Sequence, residues 1–396
     1  MDVKTQSSQA AGTSGTSGDG MPRVALFSGG GSGGHVFPGL AVALEMESRG
    51  WQVEWAGGAE SMEEKLVRRK SLKFHRLAAR PVMGRGPVAK LGAVMTLLLS
   101  AWTACGLLKR IGAEVVLGTG GYVSAPAVLG AKAARVPALI LEPNAESGLA
   151  NRTLSRFCRE ALLAHDGTAA ELRCPSTTTG VPVRDEFFAV APSLPFGAPL
   201  RILVLGGSQG AKRLNELLPA ALDALPEELG QVVVRHQCGK RHVNATREAY
   251  EQAGFPVITV EGGGFRPDGD RVQVEVVPFL HDMAGAMAES HLIVSRAGAI
   301  TLAEICAAGR PTVLVPLSLA AGHQMGNALR LKEAGAAEVV TDDGDEQFVG
   351  LLTDLVGDRE RLERMAAAAR GLGRDAAARS IADRLEFWAD GGDLHV

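Results

Sequence analysis

The sequence lacks several features that would place it in common protein classes. Its five cysteines are scattered over 396 residues, with no Cys-x-x-Cys pair and no histidine at zinc-site spacing. This argues against a disulfide framework and a metal site, and it indicates a reducing compartment such as the cytoplasm. The chain also has no long run of lysine or arginine, and its formal net charge is -3. Because nucleic-acid binding needs a broad basic surface, we expect no nucleic-acid partner.

A secretion signal is missing too. Residues 1–20 are rich in Ser, Thr, Gly and Gln and have no apolar core. They predict neither a signal peptide nor a membrane anchor, and we expect a disordered N-terminal tail. The chain length, with 46% hydrophobic residues, exceeds what one ordinary core needs and therefore favours two domains.

Two stretches of the chain repeat the order strand, glycine-rich turn, helix, strand, which begins a βαβ unit. The first consists of a strand at Val24–Ser28, a turn at Gly29–Gly34, a helix at about Val36–Ser48 and a strand at Val53–Ala56. The second consists of a strand at Arg201–Leu205, a turn at Gly206–Gly210, a helix at about Lys212–Leu225 and a strand at Gln231–His236. Two such beginnings predict an α/β protein of two Rossmann-like domains.

The segment Val181–Pro199 separates these two stretches. It is rich in proline and has no clear periodicity, which is typical of an interdomain linker. We therefore expect an N-terminal domain at residues 21–190 and a C-terminal domain at residues 191–375. Residues 376–396 are predicted to form a helix that packs back toward the N-terminal domain.

One apolar segment, Leu91–Leu108, runs for eighteen residues without a charge and just reaches the length of a membrane span. Three interpretations stay open: a buried helix that covers the sheet, a helix partly exposed to dock on lipid, and a true span. Arg80, Arg85 and Lys90 precede this segment and could form a cationic rim that anionic lipid attracts. The candidate membrane-facing residues are Leu97, Leu98, Trp102 and Lys90.

The turn Gly29–Gly34 follows a strand and opens a helix, so its N–H groups offer a site for negative charge or for close approach of a substrate. No Lys-Ser or Lys-Thr pair closes it, so it is not a nucleoside-triphosphate loop. It does satisfy the dinucleotide fingerprint, with Glu54 where a ribose-binding acid belongs, and an NAD-binding oxidoreductase is therefore an alternative. His35 follows directly at the helix start, where a titratable imidazole would face a cleft.

Three polar strand-to-helix turns occur in the second half of the chain. The turn Gly206–Gly210 offers the Ser208 hydroxyl and backbone N–H groups. Arg296 could meet phosphate, while Glu304 stands two turns into the next helix, placed to accept hydrogen bonds from ribose hydroxyls. The side-chain amides within Gly322–Ala328 suit sugar hydroxyls. We expect the three turns to share one ligand.

Five motifs stand together in this chain: GGGSGGHVFPGLAVA (Gly29–Ala43), VLGTGGYVSAP (Val116–Pro126), GGSQGAKRLNE (Gly206–Glu216), RAGAITLAE (Arg296–Glu304) and HQMGNA (His323–Ala328). Together they resemble the MurG family, over nearly everything from Pro22 onward. The resemblance implies a GT-B fold with a cleft between two Rossmann-like domains, an inverting mechanism, and neither a metal nor another cofactor. The N-terminal domain would face the acceptor and the membrane, and the C-terminal domain would bind the UDP-sugar.

The resemblance also implies the substrates and the location. N-acetylglucosamine (GlcNAc) would pass from UDP-GlcNAc to the C4 hydroxyl of undecaprenyl-diphospho-N-acetylmuramoyl-pentapeptide (lipid I), which gives lipid II for peptidoglycan. The implied location is the cytoplasmic face of the cell (inner) membrane, in peripheral contact with anionic lipid.

Individual residues receive roles from the same resemblance. The donor-binding residues would be Ser32, Gly33, Gly34, Asn144, Arg184, Ser208, Leu280, Arg296, Gly298, Ala299, Ile300, Thr301, Leu302, Ala303, Glu304, Gln324 and Asn327. The acceptor-binding residues would be Gly33, Gly34, His35, Tyr122 and Asn144. The family often has Thr where Ser32 stands, and it often has His-Glu-Gln-Asn where this chain has Leu141–Asn144.

Sugar transfer needs a base that takes the proton of the acceptor hydroxyl as the new bond forms. His35 is the first candidate and Glu142 the second, because a histidine with an ordinary pKa of about 6.5 is largely neutral at cytoplasmic pH. A carboxylate needs burial to become comparably basic. A UDP-GlcNAc 2-epimerase of the same two-domain build is a further alternative, and it would convert UDP-GlcNAc without any acceptor.

Overall fold

The computed structural model describes residues 22–31, 33–78, 87–192, 199–207, 209–258, 270–317 and 323–393, with only the backbone for residues 87–91. The predicted tail at residues 1–20 and two predicted donor-binding residues, Ser32 and Ser208, lie outside these ranges. Arg80 and Arg85 of the predicted cationic rim also lie outside them, and for Lys90 only the helical backbone is described.

In the described part of the first half, seven parallel strands form one sheet. They are β1 (Val24–Ser28), β2 (Gln52–Gly57), β3 (Lys73–Arg76), β4 (Ala113–Gly118), β5 (Ala138–Glu142), β6 (Glu160–Leu163) and β7 (Ser176–Thr178). The helices between them are α1 (Gly33–Ser48), α2 (Met62–Arg69), α3 (Pro87–Ile111), α4 (Ala125–Ala134), α5 (Leu149–Leu154) and α6 (Asp185–Phe188). The order across the sheet is β3-β2-β1-β4-β5-β6-β7.

The described part of the second half repeats this architecture. Its parallel strands are β8 (Leu200–Leu205), β9 (Val232–Gln237), β10 (Val257–Ile258), β11 (Val272–Val277), β12 (Leu292–Ser295), β13 (Thr312–Leu314) and β14 (Ala337–Val339). Its helices are α7 (Lys212–Leu222), α8 (Val243–Gln252), α9 (Met283–Glu289), α10 (Ala299–Ala308), α11 (His323–Glu333), α12 (Asp345–Gly357) and α13 (Arg359–Leu372). The order across this sheet is β10-β11-β9-β8-β12-β13-β14.

The central strands explain why both halves fold this way. Every residue of β1 and of β5 is buried, and both strands are short, nearly continuous apolar runs. Such runs fit parallel strands whose two faces are both covered by helices. In a parallel sheet, the turns that follow neighbouring strands meet at one edge, and ligands bind in the crevice there. The fold therefore gathers the polar turns of each half at one sheet edge.

The last helix, α14 (Ala377–Ala389), returns to the first half. Ile381, Leu385 and Trp388 are buried in the core around β1 and α1. The Trp388 indole donates a hydrogen bond to Glu160 Oε2 at 2.7 Å, and Arg384 donates to the same oxygen at 2.9 Å. The chain thus crosses between the two sheets twice, and the two crossings touch where Gly180 packs against Arg374.

The apolar segment predicted at Leu91–Leu108 lies within α3. Ala93, Ser100, Ala104 and Leu107 are buried at helical spacing, and α3 packs against α4. The opposite face is exposed. Its large apolar residues are Val94, Met95, Leu98 (55% exposed), Leu99 (62%) and Trp102 (79%). Leu97 is half-buried between these two faces.

Several elements differ from the sequence-based expectations. Helix α1 begins at Gly33 rather than at about Val36, so the last two glycines of the first turn lie inside the helix. The strands β3, β6, β7 and β14 were not predicted. All four have three or four residues, and β3 and β7 are largely polar, so neither length nor alternation distinguishes them from loops.

Candidate active site

The carboxyl edge of the first sheet brings three predicted segments together. The glycine-rich turn leaves β1, the segment Thr119–Tyr122 leaves β4, and Glu142 ends β5. Tyr122 is 42% exposed and lines, with Gly31, a cavity of about 570 Å³. This cavity lies beside the turn that carries His35, and it also contains the side chains of Ser61, Glu63 and Arg76.

His35 stands in the first turns of α1 and is held by the segment after β4. Its Nδ1 atom lies 3.1 Å from the carbonyl oxygen of Thr119. Because a carbonyl oxygen only accepts, Nδ1 must carry the proton, and Nε2 is the nitrogen with a free lone pair in neutral His35. Gly120 has a φ of +106°, and a Cβ there would lie 2.6 Å from His35 Nδ1. A side chain at residue 120 would therefore displace the imidazole.

The charge state of His35 follows from its surroundings. Burial lowers the pKa of His35 below its ordinary value, while the Glu142 carboxylate and the Thr119 carbonyl oppose part of this shift. A histidine with a lowered pKa is neutral at cytoplasmic pH. His35 is thus present in the form that accepts a proton at Nε2.

Glu142 uses its carboxylate to build a loop. Oε1 accepts hydrogen bonds from the backbone N–H and the side-chain amide of Asn144, at 3.1 and 2.9 Å. Oε2 accepts from Gly148 N at 2.9 Å, from Asn151 Nδ2 at 2.9 Å and from Ser147 Oγ at 3.5 Å. These donors occupy the lone pairs of the carboxylate, so taking a proton from an acceptor would displace them.

One side chain joins this loop to the second half of the chain. Asn327, in α11, is only 2% exposed. Its Oδ1 accepts a hydrogen bond from Ala145 N at 2.7 Å, and its Nδ2 donates to Asn144 Oδ1 at 3.2 Å and to the Ala297 carbonyl at 3.2 Å. Asn327 was predicted to bind the donor, but here its amide connects the loop after β5 with the loop before α10.

The carboxyl edge of the second sheet surrounds a cavity of about 680 Å³. Its lining joins the turn after β8, the turn after β12 and the start of α11. The predicted donor-binding residues among the lining are Arg296, Gly298, Thr301 and Gln324. Gln324 Oε1 accepts a hydrogen bond from Leu317 N at 3.0 Å, which ties the start of α11 to the segment after β13.

Arg296 has protein partners within this edge. Its Nη1 donates to Asp342 Oδ1 at 2.6 Å, to the Val315 carbonyl at 2.8 Å and to the Pro316 carbonyl at 3.2 Å. The guanidinium therefore ties the turn after β12 to the ends of β13 and β14. A direct contact between Arg296 and phosphate stays a prediction.

Glu304, in α10, lies near Arg184, which directly precedes α6. Arg184 Nη2 is 3.9 Å from Glu304 Oε1, and Arg184 Nη1 is 2.7 Å from Glu186. Burial raises the pKa of Glu304 to about 7, although Arg184 lowers it in part. Glu304 is therefore balanced between its neutral and charged forms near neutral pH.

The other predicted residues lie at different depths. Leu302 is buried in the core, and Leu280 is partly buried against the same core. Ala299, Leu302 and Ala303 also line a cavity of about 470 Å³ between α10, α11 and the crossing segments. The remaining residues of this set, Gly33, Gly34 and Ile300, are half-buried at helix starts.

Two polar residues at the site were missed from sequence. Thr119 orients His35, and Gln237, at the end of β9, contacts the turn after β8. Gln237 is a polar residue at the end of a strand and close to Gly239, a pattern that could have identified it. Thr119 acts through its backbone carbonyl, which leaves no signal in the sequence. Glu54, the acid of the NAD alternative, is fully buried and engaged by Gln52, Lys73 and His75. It is not available to a ribose.

No group of three or more His, Cys, Asp or Glu side chains suited to a metal ion occurs among the described residues. Within the same residues, one helix, Gly92–Ile111, is long and apolar enough to cross a membrane by length and composition alone. Only 28% of its most apolar window is buried inside the protein.

Two parallel α/β sheets with facing polar edges, joined by two chain crossings, define a GT-B glycosyltransferase fold. The glycosyltransferase family 28 N-terminal domain matches residues 25–163, and the family 28 C-terminal domain matches residues 201–385. The chain belongs to glycosyltransferase family 28, and within it to the MurG family of UDP-N-acetylglucosamine–N-acetylmuramyl-(pentapeptide) pyrophosphoryl-undecaprenol N-acetylglucosamine transferases. The predicted fold class and family are confirmed.

Individual relatives support this assignment. The transferase of that name from Alkalilimnicola ehrlichii is 40% identical over 369 residues, which cover 91% of this chain and 98% of the relative. The crystal structure of Acinetobacter baumannii MurG is 32% identical and has a TM-score of 0.73, covering 92% of this chain and 99% of the other. A putative UDP-N-acetylglucosamine 2-epimerase from Listeria monocytogenes is 14% identical with a TM-score of 0.64, covering 94% of this chain and 97% of the other. At that identity, it shares the fold alone.

Proposed function

We propose that this enzyme transfers GlcNAc from UDP-GlcNAc to the C4 hydroxyl of the N-acetylmuramoyl residue of lipid I, and so forms lipid II. The observation that carries the proposal is that each sheet has a glycine-rich strand-to-helix turn at its carboxyl edge. Asn327, from the second half, bonds to the loop after β5 in the first half and so connects the two edges. Family membership over nearly the whole chain supports the same activity.

The donor fits the second sheet edge. The N-terminal end of α7 follows the turn Gly206–Gly210, and unpaired N–H groups at a helix start favour the negative charge of a diphosphate. Glu304 would accept hydrogen bonds from the ribose hydroxyls, and Gln324 would hold hydroxyls of GlcNAc. The cavity of about 680 Å³ lies within the size range of small-molecule sites.

The acceptor hydroxyl would approach from the first sheet edge. Its oxygen attacks the anomeric carbon of GlcNAc in line, the new C–O bond forms, and the bond from that carbon to the diphosphate oxygen breaks with inversion. His35 Nε2 takes the hydroxyl proton, and UDP leaves with the bonding electrons. Arg184 and the helix-start N–H groups would stabilise the charge that develops on the diphosphate. Glu142 and Asn144 hold the loop beside the reacting sugar.

The membrane contact would use the exposed face of α3. Its apolar residues lie on the half of the chain that carries His35, and Lys109 and Arg110 are exposed at the end of the same helix. A lipid-carried acceptor must reach His35 from a membrane, and an apolar face with nearby cations suits an anionic surface. We propose peripheral binding at the cytoplasmic face of the inner membrane, and no nucleic-acid partner.

A product assay tests the proposed activity. We expect purified enzyme, UDP-GlcNAc and a short-chain lipid I analogue to yield a GlcNAc-extended lipid and UDP in equal amounts, with turnover unchanged by a chelator. Acceptor-independent conversion of UDP-GlcNAc would instead establish an epimerase. Loss of turnover in chelator with recovery on magnesium would contradict the metal-free mechanism. UDP-GlcNAc, and not NAD, is expected to raise the melting temperature.

A further inference from the structure

The end of β9 carries a polar sequence, His236-Gln237-Cys238-Gly239, that packs against the turn after β8. Gln237 is only 3% exposed, and both groups of its side-chain amide bond to one residue of that turn. Gly207 N donates to Gln237 Oε1 at 3.1 Å, and Gln237 Nε2 donates to the Gly207 carbonyl at 2.8 Å. In addition, Gly206 N donates to the backbone carbonyl of Gln237 at 3.0 Å.

The backbone of this turn needs stabilising hydrogen bonds, because two of its glycines have a positive φ. Gly207 has a φ of +74° and Gly210 a φ of +78°, in the left-handed region that glycine enters freely but does not prefer. Gly210 N donates to the Gly207 carbonyl at 3.0 Å, so this carbonyl accepts from both Gly210 and Gln237. These bonds hold Gly207 and tie it to Gly210, which lies directly before the start of α7.

A second layer holds the end of β9 in place. The imidazole of His236 is fully buried, with Nδ1 2.8 Å from the Tyr250 hydroxyl and Nε2 3.0 Å from Asn215 Oδ1. Asn215, in α7, donates from Nδ2 to the Cys238 carbonyl at 3.4 Å. A Cβ at Gly210 would lie 2.2 Å from that same carbonyl oxygen. The strand end, the turn and the start of α7 therefore form one interlocked unit.

We infer that Gln237 is a positioning residue for the donor diphosphate: through Gly206 and Gly207 it fixes the start of the turn after β8, ahead of the N-terminal end of α7, without touching the ligand. The inference rests on the proposed function, because the diphosphate is that of UDP-GlcNAc. The proposed role differs from packing alone, because both hydrogen bonds of the Gln237 side-chain amide are made with Gly207 in the turn and not with the core.

The test compares the affinities of UDP and uridine for the full-length enzyme by calorimetry. Gln237→Leu keeps the approximate size of the side chain and removes both hydrogen bonds that the side-chain amide makes with Gly207. We expect it to weaken UDP binding by about 10- to 100-fold, the loss that follows when both hydrogen bonds from the side chain to Gly207 are removed. Uridine lacks the diphosphate, so its binding should change by less than about twofold. Turnover should show the same pattern, with KM for UDP-GlcNAc raised and KM for the acceptor analogue unchanged.

Two further variants keep the test decisive. Gln273→Leu removes another buried glutamine from the neighbouring strand β11, and we expect its ratio of UDP to uridine affinity to match the wild type. Gln237→Glu can still accept from Gly207 N but cannot donate to the Gly207 carbonyl, so it should show a smaller UDP-specific loss if Gln237→Leu fails to fold.

The outcomes separate the inference from the proposed function. An unchanged ratio of UDP to uridine affinity in a folded Gln237 variant, or an equal loss for both ligands, would overturn the positioning role alone. A wild-type enzyme that binds UDP no more tightly than uridine would overturn the diphosphate site at this turn, and with it the proposed donor.

Discussion

The glycine-rich turns of the two halves follow the same order of elements but prepare different chemistry. The first turn leads into His35, a half-buried imidazole whose tautomer is set by the Thr119 carbonyl. The second turn has no titratable side chain among its described residues, and Gln237 holds its backbone with two amide hydrogen bonds. One edge thus offers a lone pair for a proton, and the other offers the backbone N–H groups at the start of α7 for an anion.

This difference explains how one repeated architecture serves two reactants. Proton transfer requires a group whose charge changes, and at the first edge the neutral imidazole of His35 carries its lone pair on Nε2. Anion binding requires fixed dipoles that cost no reorganisation when the ligand arrives. Substitutions at the two edges should therefore separate turnover from donor binding.

The largest effect is expected at His35. His35→Ala should lower kcat by about 10²- to 10⁴-fold, the usual contribution of a positioned base, while the affinity for UDP changes little. Steady-state kinetics and UDP calorimetry on the same preparation check both parts. A near-normal kcat would remove His35 as the base.

The second-largest effect is expected at Asn327, which connects the loop after β5 with the loop before α10. Asn327→Ala leaves Ala145 N, Asn144 Oδ1 and the Ala297 carbonyl without their partner. With a cost of about 1–3 kcal/mol for such buried groups, kcat/KM should fall by about 10- to 100-fold. If Asn327 serves both edges, KM values for donor and acceptor should both rise. An effect on the donor KM alone would limit Asn327 to sugar binding. The exposed Asn244→Ala in α8 is the matched control.

A smaller effect, dependent on pH, is expected at Glu304. In the proposed donor complex its ionised carboxylate would accept hydrogen bonds from the ribose hydroxyls, and burial raises its pKa to about 7. The KM for UDP-GlcNAc should therefore fall several-fold as pH rises through this value, and Glu304→Gln should flatten the profile. A pH dependence that persists in Glu304→Gln would assign it to another group.

The raised pKa of Glu304 has the opposite consequence for stability. Because burial disfavours the charged form, the contribution of Glu304 to folding is fully present below its ordinary pKa of 4.5 and is lost as pH rises through about 7. The same residue thus favours donor binding at the upper end of this range and folding at the lower end.

The smallest effect on chemistry is expected on α3. Replacing Leu98, Leu99 and Trp102 with serine should reduce binding to anionic vesicles strongly, while turnover of a water-soluble acceptor analogue stays within about twofold, since exposed positions contribute little to stability. Leu44→Ser, at an exposed leucine of α1, is the control. Equal loss of vesicle binding and turnover would indicate that this face supports the core instead.

Much of the fold was predictable because nearly continuous apolar strands beside glycine-rich turns carry a strong local signal. The bounds of β1 agree with the sequence-based expectation, β8 begins one residue before the predicted Arg201, and α14 lies in the predicted C-terminal helix. The short strands β3 and β7 escaped prediction because they pair at sheet edges with largely polar residues. Their conformation depends on neighbouring strands distant in sequence.

The sequence predicted which residues lie at the candidate site better than it predicted which partners their side chains bind. Arg296 was expected at phosphate because a cation follows a strand, yet its guanidinium binds Asp342, which is 46 residues away in sequence. Glu142 was considered as a base, yet its carboxylate accepts five hydrogen bonds within its own loop. Sequence spacing places such residues at a sheet edge but does not give the direction of their side chains.

The sequence by itself determined the class of fold, the family and the two glycine-rich turns, because these depend on local patterns of apolar residues and glycine. The tertiary structure alone decided which nitrogen of His35 is free, that Gln237 holds the second turn, and that Asn327 links the halves. Each of these depends on hydrogen bonds between segments 30 or more residues apart, whose geometry exists only after both sheets have formed.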